Sequence, residues 1–75
     1  MERNIYIKLF EEGIEVYRPV PALQIEENIY EVRGFEIYDE DDEVWEFPPG
    51  THVLVEKHNL DNENVLVAIK QQSSI

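Results

Sequence analysis

The chain of 75 residues contains no cysteine, so disulfide staples and thiolate metal sites are both excluded. It is poor in positive charge: six lysines and arginines stand against seventeen aspartates and glutamates, a formal net charge of −11. Binding to phosphate backbones or anionic lipid needs a cationic footprint, and this balance does not supply one. Neither nucleic acid nor membrane is therefore expected as a partner. No apolar run approaches the twenty or so residues that span a bilayer as a helix. Lys8 interrupts the apolar start of the chain too early for a secretory leader, so a cytoplasmic protein is the expectation. Helical spacing is scarce as well. What remains is a short acidic chain that buries roughly 60% of its unfolded surface around one core. Without staples, its net stability should be about 3–5 kcal/mol.

What is present is alternation. Ile5, Ile7 and Leu9 fall on one face and Tyr6, Lys8 and Phe10 on the other, which reads as a strand. Glu11-Glu12-Gly13 reads as a hairpin turn, and Ile14, Val16, Arg18 and Val20 begin the return strand. Pro19 and Pro21 are expected to stop it, because neither can donate a ladder hydrogen bond. Residues 22–28 read as a loop, with a single helical turn as the alternative. Residues 29–32 and 35–38 read as one strand bent at Gly34, and residues 44–47 as a short strand before the Pro48-Pro49-Gly50 turn. Residues 51–58 and 65–70 form the last pair, joined by a polar turn whose Asn and Asp residues tolerate left-handed backbone.

Short strands and tight turns without a convincing helix predict an all-β fold. A flat sheet this small would leave one apolar face wet, so the sheet should curl over itself. The expectation is a small SH3-like, partly open barrel of five to six short strands, with a two-layer β roll as the alternative. One domain over residues 1–70 and a frayed tail over residues 71–75 complete it.

The densest signal lies between Glu36 and Glu46, where seven carboxylates fall within eleven residues: Glu36, Asp39, Glu40, Asp41, Asp42, Glu43 and Glu46. No lysine or arginine stands between Arg33 and Lys57, so this is not an interspersed surface. Acidity that only keeps a small domain soluble is the plain reading, and the uneven distribution weakens it. Trp45, the single tryptophan, sits in this run. Two readings of it stand. Trp45 and Phe47 share a face by alternation and could plug the barrel end beside the Pro-Pro-Gly turn. Alternatively, a part-exposed Trp45 stacks on a partner's arginine while the carboxylates hold the guanidinium.

Chemistry of other kinds finds little here. Asp39, Asp41 and Glu43 have the spacing that opens a calcium-binding EF-hand loop, but Val44 and Gly50 occupy the places that need glycine and glutamate. His52 and His58 on one extended strand lie about 20 Å apart, too far to share a metal. Ser73 and Ser74 have no base nearby. The expectation is no catalytic residue, no metal and no cofactor.

Two motifs carry a resemblance. The pairing of Ile5-Tyr6-Ile7-Lys8-Leu9-Phe10-Glu11-Glu12-Gly13, then Val16-Tyr17-Arg18-Pro19-Val20, with Asp42-Glu43-Val44-Trp45-Glu46-Phe47-Pro48-Pro49-Gly50 resembles a group of short uncharacterised bacterial proteins. These share a DEG-x-x-V-W-R-P-V hairpin and an E-x-W-E-F-P-P-G turn; here Tyr17 replaces the tryptophan and Glu11 the aspartate. The resemblance implies a small β domain without known catalysis.

The functional expectation is a non-enzymatic acidic module that recognises a basic protein through Glu36, Asp39, Glu40, Asp41, Asp42, Glu43, Trp45 and Glu46. An immunity-type inhibitor, presenting carboxylates where a nuclease toxin expects phosphates, is its concrete version. The alternative is a structural or self-associating domain, with Leu54, Val65 and Val67 lining a strand edge. Monomer or weak homodimer is the expected state.

Overall fold

Alternation at the start of the chain builds the first hairpin. In β1 (Glu2–Glu11), Ile5, Ile7 and Leu9 are buried while Tyr6, Lys8 and Phe10 face outward. β2 (Ile14–Glu26) returns antiparallel, with Val20 opposite Ile5, Arg18 opposite Ile7 and Val16 opposite Leu9. The structure, a computed structural model, describes residues 2–11 and 14–72. The expected turn at Glu12 and Gly13, and the serines Ser73 and Ser74, lie outside the described residues.

β2 does not stop at its prolines. In an antiparallel ladder, the N–H and C=O of one residue face the same neighbour. The carbonyl of Pro21 accepts a hydrogen bond from Arg33 N at 2.9 Å, just past the end of β3 (Ile29–Val32). Its nitrogen therefore faces away from β1. Pro19, two residues earlier, faces the same way, where no β3 residue stands, so neither proline costs the hairpin a bond. The expected loop over residues 22–28 is likewise strand as far as Glu26. A bulge between Gln24 and Glu26 breaks the alternation that would have revealed it.

β4 (His52–Leu60) pairs with β3, and β5 (Glu63–Gln71) pairs with β4, both antiparallel. The strands follow one another round a closed ring, β1-β2-β3-β4-β5, the meander order of an SH3-like barrel. Closure is slight: β1 meets β5 in parallel at the single pairing of Tyr6 with Val67. The barrel is small and partly open. Further along the same edge of β1, residues 44–46 take the place of a strand. Phe10 N donates to Val44 O at 2.9 Å and Glu46 N to Lys8 O at 2.8 Å, around an isolated bridge between Leu9 and Trp45. The expected strand over residues 44–47 is thus reduced to one bridge, and the expected continuation over residues 35–38 is a turn. Among the described residues five strands form, within the expected five to six.

One core fills the ring. Beside the inward residues of β1 and β2 it takes Tyr30 and Val32 of β3, Val53 and Val55 of β4, and Ala68 of β5. Trp45 and Phe47 enter it from the long β3–β4 connection. At the far end, Gln71 still belongs to β5 and Gln72 N donates to His52 O at 2.8 Å, so order runs two residues into the expected tail.

Candidate partner-binding face

The acidic run lies on the β3–β4 connection, and glycine starts it. Gly34 is buried with φ of +91°, and its carbonyl accepts from the N–H groups of Ile37 and Tyr38 at 3.1 and 3.0 Å. A Cβ at this position would stand 3.2 Å from Cη2 of Trp45, so the indole would have to shift by a few tenths of an ångström, on top of the strain that the positive φ puts on any other residue. A second turn follows. Asp39 Oδ1 accepts from Asp41 N at 3.0 Å, and Asp39 O accepts from Asp42 N and Glu43 N at 2.9 and 3.0 Å. The i, i+2 spacing that looked like the opening of a calcium loop serves an Asx turn followed by one helix-like turn.

Trp45 fastens the connection. It is 2% exposed, and its ring lies 4.7 Å from that of Tyr38, tilted by 57°. Burying an indole removes about 150–250 Å² from water, worth roughly 4–6 kcal/mol before ordering costs. Its Nε1–H donates to Glu43 Oε1 at 2.8 Å, which satisfies the one polar atom the burial would orphan. Arg18 reaches the same oxygen from β2, with Nε at 3.1 Å. That contact is ionic without hydrogen-bond alignment, since Arg18 Nε is buried and unpaired by geometry. Arg18 occupies an inward position because the hairpin register sets it opposite Ile7. The chain thus supplies its own arginine to the tryptophan–carboxylate arrangement expected for a partner.

Glu36, Asp39, Glu40, Asp41 and Asp42 are exposed, and Glu46 is half-buried. Glu43 is half-buried and committed to Trp45 and Arg18. Trp45 itself is removed from the exposed face: it is buried in the core together with Phe47, and it is not free to stack on a partner. Other apolar side chains flank the acids instead. The Leu9–Trp45 bridge sets Phe10 opposite Val44 on the outer face, where they are 60% and 42% exposed. Phe35 and Ile37 are exposed on the first turn of the connection. Alternation already put Phe10 and Val44 on the faces opposite Leu9 and Trp45. Nothing in the sequence said that the two would be neighbours.

A second charged group sits where β3 meets β4. Arg33 Nη1 donates to Glu31 Oε2 at 2.6 Å, while His52 Nε2 lies 3.2 Å from Glu31 Oε1. Arg33 also covers the Phe35 ring, with Cζ 5.4 Å from its centre. Hydrogen bonds from Arg33 first, then His52, hold the Glu31 carboxyl below its ordinary value. The other histidine, His58, contacts Glu56 at 2.8 Å.

The residues proposed for an associating edge separate. Val67 is 3% exposed in the barrel, whereas Leu54 and Val65 are half-buried. Among the described residues no helix is long and apolar enough to cross a membrane.

Comparison with protein-family models, with curated proteins and with solved structures gave no match. Function is therefore read from the arrangement itself: an anchored acidic connection, with Arg18 and Arg33 beside it already engaged, next to an exposed phenylalanine–valine pair.

Proposed function

We propose that this is a non-enzymatic acidic binding module that docks a basic protein surface against residues 36–46. The observation that carries the reading is the anchoring of the connection. Trp45 is buried and Gly34 packs beneath it, while Glu36 and Asp39 to Asp42 stay exposed. A carboxylate set held on a fixed loop loses less freedom on docking than a floppy run would. Phe10 and Val44 supply apolar area at its edge, and the charges supply steering and register. An immunity-type inhibitor of a bacterial nuclease toxin, acting in the cytoplasm, is the concrete form of this reading.

A pull-down from lysate with wild type and with a neutralised loop (Asp39→Asn, Glu40→Gln, Asp41→Asn, Asp42→Asn) tests it. A partner held at low salt, released as salt rises and lost with the variant is the expected result. No partner, or one retained at high salt by both forms, overturns the proposal. Self-association through strand edges is the weaker reading, because Val67 is consumed by the barrel. Sedimentation of monomer alone at high concentration removes it.

A further inference from the structure

On the outer face of the first hairpin, Tyr6 pairs with Pro19 and Lys8 with Tyr17. Tyr6 and Tyr17 are therefore diagonal neighbours on one face, about 7–8 Å apart at the backbone. Both are half-buried, and the β4–β5 turn closes over them. Tyr6, Tyr17, Leu60, Asp61 and Glu63 together line a groove of about 230 Å³. The turn is tightly specified, since Asp61 and Asn62 have φ of 50° and 68° between the closing pair Leu60 and Glu63.

We propose that this groove receives the side chain of one arginine from a polypeptide partner. Its volume lies below the roughly 300–1,000 Å³ typical of sites for cofactors and drug-sized ligands, which leaves room for a single side chain. Two phenol rings offer negative faces to a cation within about 6 Å of their centres, and the spacing of the tyrosines lets a planar guanidinium approach both. Asp61 and Glu63 supply the complementary charge, and no lining residue is cationic. Lys8 shares the outer face opposite Tyr17 but does not line the groove. The site shares no residue with the acidic connection, so the inference stands apart from the reading given for residues 36–46.

The test is a titration of the labelled protein with a blocked Gly-Arg-Gly peptide and with its citrulline counterpart, which keeps the shape and lacks the charge. Ring-proton shifts of Tyr6 and Tyr17 should move saturably with the arginine peptide and stay still with citrulline. Glu63→Gln, an exposed change that leaves the core untouched, should weaken binding about three- to tenfold, as should Tyr17→Leu. Asp41→Asn with Asp42→Asn should leave it unchanged. Shifts confined to residues 36–46, an equal response to citrulline, or full affinity in Glu63→Gln and Tyr17→Leu would overturn the proposal.

Discussion

Glu43 holds Trp45 and Arg18 through one oxygen, and the two contacts are of unequal weight. Arg18 is 42% exposed at its side chain, so its ion contact is screened and worth at most about 1 kcal/mol. The indole N–H is buried, and leaving it without an acceptor costs about 1–3 kcal/mol. Glu43→Gln keeps an acceptor and should lower unfolding free energy by less than about 1 kcal/mol, whereas Glu43→Ala should lower it by about 1–3 kcal/mol. Chemical denaturation of the two variants distinguishes these outcomes. At Gly34 the positive φ and the 3.2 Å approach to Trp45 act together, while at Gly50, with φ of +94°, the nearest atom to a new Cβ is 3.6 Å away. Gly34→Ala should therefore be the more destabilising of the two alanine substitutions, with equal losses contradicting the packing argument.

At the scale of elements, the β3–β4 junction is tuned by charge. Glu31 has its carboxyl pKa lowered from 4.5 by Arg33 and then His52. Its contribution to stability is complete above that unfolded-state value and is lost as pH falls through the lower folded-state value. Glu31→Gln should be less stable than wild type at neutral pH, and the gap should close as pH drops below about 4.5 in thermal melts across the acid range. A gap independent of pH would assign the loss to packing. The strands of this junction and of the first hairpin were legible because period-two alternation survives in β1 and β4. Where it failed, the cause was local. A bulge hid the second half of β2, and prolines whose nitrogens face away from β1 looked like stops although they cost the hairpin no bond. In the β3–β4 connection, apolar residues such as Ile37 and Trp45 mimicked strand alternation, although glycine geometry and the pull of the core decided their conformation.

For the whole molecule, charge and shape have to be taken together. With a formal charge of −11 and an exposed acidic run, self-repulsion opposes folding, so moderate salt should raise the melting temperature. Neutralising Asp39, Asp41 and Asp42 should flatten that dependence, and an undiminished salt effect would place the repulsion elsewhere. The acidic half of the candidate site was readable from composition, because charge density needs no fold to be seen. Its apolar half was not, since the Phe10–Val44 pairing depends on a connection folding back to β1 across more than thirty positions. Trp45 was the one residue whose role turned on burial, and burial follows from the Gly34 approach that no local pattern announces. The central claim is that an anchored anionic loop meets a cationic protein. Amide chemical-shift mapping of the chain against the partner released by salt tests it most directly. Perturbations gathered at residues 36–46 with Phe10 and Val44 are the predicted result. Perturbations gathered instead around Lys57 and Lys70 of β4 and β5, with the acidic connection silent, would contradict it.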